Sequence, residues 1–100
     1  MAKIRVVMCP VDRAPYVTWI EDSLENLQKV VGGYIECVTF AEDAVIICNE
    51  EGRILGLPDN CRFYGVDFVG TVLIVGTKDD EFCDVPEAEF LVHNLKGEKA

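Results

Sequence analysis

The chain has 100 residues, with 18 acidic against 9 basic side chains and a formal net charge of −9. This balance argues against direct nucleic-acid binding through a basic patch, which needs clustered Lys and Arg. Half of the residues are hydrophobic, which argues against intrinsic disorder, yet no apolar run approaches the ~20 residues of a membrane span.

A chain this long is expected to form one α+β domain over residues 1–96 with a frayed tail at 97–100. Its start, MAKIRVV, lacks the apolar region and cleavage site of a secretory signal, so a soluble, cytoplasmic protein with no membrane partner is expected. The carboxylates come in small groups, Glu21-Asp22, Glu42-Asp43, Glu50-Glu51 and Asp79-Asp80-Glu81. These read as turns and a solubilising surface rather than the spaced face of a nucleic-acid mimic.

Lys3 to Cys9 predicts a first strand, with Ile4, Val6 and Met8 on one face, ended by Pro10. Tyr16 to Ile20 predicts a second strand, paired antiparallel with the first across the short PVDRAP turn. Tyr16, Thr18 and Ile20 share one face and Val17 and Trp19 the other, with Trp19 expected to pack half-buried. Ser23 can cap a helix from Leu24 to Val31, whose Leu24, Leu27 and Val31 form an inward stripe. Gly32 supplies its left-handed stop, and Gly33 lets the chain reverse at once into a strand from Tyr34 to Phe40. In that strand Glu36 reads as an exposed or edge carboxylate.

Ala41-Glu42-Asp43 is a turn, and Ala44 to Cys48 is apolar throughout, as in a central strand buried on both faces. Asn49 to Gly52 predicts a tight turn with Gly52 at positive φ. Arg53 to Phe63 is irregular, broken by Gly56, Pro58, Asp59 and Asn60, with room for a helical turn or a short strand at each end. Gly65-Val66-Asp67 reads as a turn. Phe68 to Val75 reads as the last strand, with Gly70 marking a bulge or a close backbone approach and Gly76 closing it. Asp84-Val85-Pro86-Glu87 has the form of a capping box ahead of a second helix, in which Val85, Ala88, Leu91, Val92 and Leu95 recur at helical spacing. His93 falls off that stripe. The sum is a mixed or largely antiparallel sheet of about five strands with a central and a C-terminal helix.

The five cysteines, Cys9, Cys37, Cys48, Cys61 and Cys83, form no C-x-x-C pair and are expected to be reduced and mostly structural. No metal site, cofactor loop or catalytic motif is legible, and no catalytic residue is assigned. One stretch holds more polar chemistry than a fold needs. Asn49, Glu50, Arg53, Leu57, Pro58, Asn60 and Arg62 form a candidate binding loop, since two Arg and two Asn suit an anionic group. The plainer reading of the same stretch is a surface loop whose Leu57 plugs the core and whose arginines meet Glu50, Glu51 and Asp59.

The blocks Y-V-T-W-I, S-L-E-N-L-Q-K-V-V-G-G-Y-I-E, C-N-E-E-G-R and G-L-P-D-N resemble a group of small bacterial and phage proteins catalogued as a domain of unknown function. The resemblance spans Lys3 to Phe82 and implies a family fold in a phage or mobile-element setting. The five cysteines depart from that family's usual content. It implies no activity and transfers no catalytic residue. The expected function is therefore a small acidic, non-enzymatic interaction protein that binds a host or phage protein and modulates it, with anti-defence as a candidate role. The alternative is a protein that sequesters a nucleotide or other anionic small molecule with the Asn49–Arg62 loop. A homo-oligomer is left open.

Overall fold

Strands β1 (Lys3–Cys9) and β2 (Tyr16–Glu21) pair antiparallel, with Val7 opposite Val17 and Ile4 opposite Ile20. Strands β3 (Ile35–Ala41) and β4 (Ala44–Asn49) make a second antiparallel hairpin. Helix α1 (Leu24–Val31) carries the chain from the first hairpin to the second. Strand β7 (Val72–Lys78), much later in the chain, lies between β1 and β4 and is antiparallel to both. Strand β8 (Glu81–Cys83) folds back on β7 beyond the stretch that β1 occupies, giving a six-stranded sheet of order β2-β1-β7-β4-β3 with β8 attached to β7. Strands β5 (Asp59–Phe63) and β6 (Val66–Val69) form a separate two-stranded hairpin. Helix α2 (Ala88–Glu98) follows β8. This computed structural model describes residues 2–98, with side chains described as far as Leu95.

The sheet is buried on both faces because its alternation feeds two cores. Val6, Val45, Ile47, Leu73 and Val75 point to the side covered by Leu27 and Val31 of α1. Val7, Ala44, Ile46, Val72 and Ile74 point to the other side, under Phe63 and Phe68 of the β5–β6 hairpin and Leu91 and Leu95 of α2. The apolar β4 is buried along its whole length, as its composition requires. No helix among the described residues is long and apolar enough to cross a membrane.

Helix α1 starts where Ser23 Oγ accepts from Asn26 N at 3.1 Å and ends with Gly32 at φ 80. Its inward stripe is narrower than the sequence predicts. Leu27 and Val31 are buried, whereas Leu24 is 59% exposed, because it occupies the first position of a two-turn helix and the core is met only a turn later. Trp19, on the edge strand β2, is 55% exposed and so only partly buried.

Beyond Asn49 the fold departs further from the local reading. The turn is longer than four residues, and Gly52 is not at positive φ. Gly52 is required for space instead, since a Cβ there would lie 2.9 Å from Val69 Cγ2. Val66 and Asp67 belong to strand β6, and the reversal is at Tyr64-Gly65. The apolar run from Phe68 to Val75 is two strands, split where Gly70 (φ 74) passes Leu57. Strand β7 runs through Gly76 to Lys78, and the β8 hairpin accounts for the strand beyond about five.

The capping box does not form. Asp84 Oδ1 accepts from Arg5 N at 2.9 Å, and Val85 N donates to Arg5 O at 2.8 Å, so this segment extends the pairing with β1 before the helix begins at Ala88. Helix α2 continues to Glu98, and residues 99–100 of the expected tail lie outside the described residues.

Candidate functional site

The Asn49–Arg62 stretch folds as a helical turn followed by β5. Leu55 N donates to Glu51 O at 2.9 Å and Leu57 N to Gly52 O at 3.0 Å, and Gly56 (φ 71) ends the turn. Its two asparagines are buried and bonded to the chain itself. Asn49 Nδ2 donates to Val31 O at 3.1 Å, at the end of α1, and its Oδ1 accepts from Glu51 N at 2.8 Å. Asn60 Nδ2 donates to Cys9 O at 2.9 Å and to Gly70 O at 2.8 Å. Leu57 is half-buried against Gly70, Pro58 is exposed with its carbonyl accepting from Gly70 N at 2.7 Å, and Glu50 is exposed with its amide donating to Tyr34 O at 2.8 Å.

The two arginines converge on one residue of β6. Arg53 Nη2 donates to the Asp67 carbonyl at 2.8 Å, and Arg62 Nη1 stands 3.7 Å from the Asp67 carboxylate. The structure thus brings together Arg53 and Arg62, as a loop folding back would, around a carboxylate that the sequence reading placed in a turn. The Tyr64-Gly65 pair between two alternating runs is the signal that would have placed Asp67 on a strand.

A cleft of about 300 Å³ opens between the β3–β4 hairpin and β6. Glu36 and Val38 line one wall, Val66 and Val69 the other, and Glu50, Glu51, Arg53 and Ile54 also border it. The hairpin turn is tied to β3 by Tyr64, which stacks on Phe40 with ring centroids 5.4 Å apart while Phe63 meets both rings edge-on. Around this region Ile54 is 83% exposed, Leu55 58% and Val66 42%. A second cleft, of about 320 Å³, shares Arg53, Asp67 and Phe68 with the first and adds Arg62 and Asp59. Both volumes fall at the low end of the ~300–1,000 Å³ usual for small-molecule sites.

The thiol in the first cleft is held in its protonated form. Burial and the neighbouring Glu36 push Cys48 up to about 11, and its Sγ donates to Glu36 Oε1 at 3.9 Å. A thiol so raised stays protonated at neutral pH. Burial and Glu36 also raise Cys37, whose side chain is exposed on the outer strand rather than packed as a small hydrophobe. Among the described residues no group of three or more His, Cys, Asp or Glu is placed to hold a metal ion.

No curated protein and no solved structure matches the chain. The model of one family does match, and it covers residues 4–96, so it reaches into α2 as well as across the blocks from Tyr16 to Asn60. The protein belongs to this family, a domain of unknown function (DUF3846).

Proposed function

We propose that the protein is a small, acidic, non-enzymatic interaction module that binds another protein, in a phage or mobile-element setting a host protein whose behaviour it alters, with anti-defence as the candidate role. The observation that carries this reading is the cleft along β6. It combines exposed apolar side chains, Ile54 and Val66, with a rim of carboxylates and with a strand that among the described residues has a neighbour on one side only. Clustered exposed apolar groups with a polar rim are what protein-binding surfaces present. The chemistry around the cleft suits contact rather than turnover, since its thiol is protonated and both loop asparagines are bonded to backbone.

The test is retention of a partner from host lysate by the wild type and by an Ile54→Asp/Val66→Asp variant whose circular dichroism is native. A defined partner held at stoichiometric level by the wild type and lost from the variant is expected. Retention of no partner by the wild type, or of the same partner equally by both proteins, would overturn the reading.

The second reading, a binder of a nucleotide or other anionic small molecule, is favoured by one observation, that Arg53 and Arg62 line a single cleft. Asp59 and Asp67 line it too, and they oppose an anion there. A thermal-shift screen against nucleotides decides it, because a ligand present at 100 Kd adds ~2.7 kcal/mol. Such a shift should vanish in the Arg53→Ala/Arg62→Ala variant.

A further inference from the structure

We infer that the outer edge of β6 accepts an extended, basic segment of a partner protein as an added strand, with the segment's cationic side chains on the carboxylates of the adjoining cleft. The inference rests on the interaction reading above and assigns it a site and a partner chemistry.

Among the described residues strand β6 pairs with β5 alone, so one edge of its four residues has no ladder partner there over roughly 13 Å. Unpaired edges of this kind bind peptides by main-chain hydrogen bonds, with alternate side chains giving specificity. A group of the right kind already sits there. The Asp67 carbonyl points away from β5, and Arg53 Nη2 donates to it at 2.8 Å, where an added strand would place an amide N–H. Arg53 is exposed, so an incoming strand can displace it and replace its hydrogen bond with another. The outer strands of the large sheet, β2 and β3, also have free edges. Among the described residues neither has a basic side chain seated on a strand carbonyl.

The charge around the cleft selects the occupant. Glu36, Glu50 and Glu51 line it beside the guanidinium of Arg53, with the Asp67 carboxylate already 3.7 Å from Arg62, while Val38 and Val66 supply apolar surface. A strand presents alternate side chains to opposite sides, so a segment alternating apolar and cationic residues meets both demands. A second copy of this chain would bring a further −9 to the same place, and nucleic acid would bring phosphates, so neither fits the carboxylates.

The probe is a short peptide alternating valine and lysine, with two derivatives N-methylated on all valines or on all lysines. Each derivative loses the amides of one strand edge. Binding to the full chain is read by fluorescence anisotropy at low salt. Strand addition predicts that one derivative loses affinity by about tenfold or more while the other binds as the parent does. Arg53→Ala should tighten binding of the parent peptide, because the Asp67 carbonyl and the acidic rim are then unopposed. A peptide in which glutamate replaces lysine should not bind. Equal binding by both N-methylated peptides would mean simple charge attraction and would overturn the inference, as would no binding of the parent. A lysate partner that still depends on Ile54 and Val66 after such a result would leave the interaction reading standing and remove only this mode of contact.

Discussion

Asn60 joins the β5–β6 hairpin to the large sheet through its side chain. Its Nδ2 serves the carbonyl of Cys9 in β1 and that of Gly70 just ahead of β7, and it is 3% exposed. Asn60→Ala leaves two buried carbonyls without this donor and should destabilise by about 1–3 kcal/mol for each, read from urea denaturation. Leu27 and Leu24 make the sharpest contrast within one helix. Leu27→Ala should cost ~2–5 kcal/mol because the side chain is buried, and Leu24→Ala should stay within about 0.5 kcal/mol because it is not. Cys48 links stability to alkaline pH. The unfolded chain loses this proton near the ordinary thiol value of 9.0, whereas the folded chain keeps it to about 11. Across that window the native state holds more protons, so the contribution is complete below the unfolded pKa and is lost as pH rises through the folded one. The melting temperature should therefore fall between these limits, with a shallower slope in Cys48→Ala; an identical slope would remove Cys48 as the cause.

The elements that could be read from the chain are those whose signals are local. Strands β1 to β3 and α1 announce themselves by alternation, by Pro10, by the Ser23 cap and by Gly32, and β4 by its unbroken apolar run. Two kinds of signal misled. The first is a mostly apolar run: Phe68 to Val75 looks like one strand, and only Gly70-Thr71 betrays the division between β6 and β7. The second is a local motif used by a distant residue. Asp84 has the sequence of an N-cap, but the amide of Arg5, 79 positions away, takes its carboxylate. The candidate site divides in the same way. The gathering of Arg53 and Arg62 was legible, whereas their meeting at Asp67 depends on a hairpin that hid inside an assumed turn. Strand β8 was missed for want of length, and it depends on Gly76. A Cβ at this position would meet the Asp84 carbonyl and come 3.0 Å from Cys83 Sγ, and the backbone carbonyl cannot swing aside. Gly76→Ala should cost about 1–3 kcal/mol and loosen β8, measured by denaturation and by faster amide exchange at residues 81–83.

At the scale of the whole molecule, the five thiols report on the integrity of both cores. Cys37 is exposed, Cys83 is half-buried, and Cys9, Cys48 and Cys61 are buried. A maleimide reagent near neutral pH should label Cys37 and Cys83 in the folded protein, and the other three only after unfolding; rapid labelling of all five would contradict two packed cores. The charge of −9 is balanced by few contacts, since the ion pairs among the described residues are exposed and each is worth ~0–1 kcal/mol. The packing of apolar strands therefore carries the stability, and the position of β7 has a consequence for how the protein is made. The hairpins β1–β2 and β3–β4 are both complete by Asn49, yet each lacks its inner neighbour until residues 72–78 arrive. A chain emerging from the ribosome must hold two half-sheets open from Asn49 until residues 72–78 are made, with the inner edges of β1 and β4 unpaired. Long-range closure of this kind is slow compared with hairpin formation. The sheet can close only once residues 72–78 have been made, and during that interval the nascent protein is most exposed to chaperones, proteases and misassembly with its own siblings.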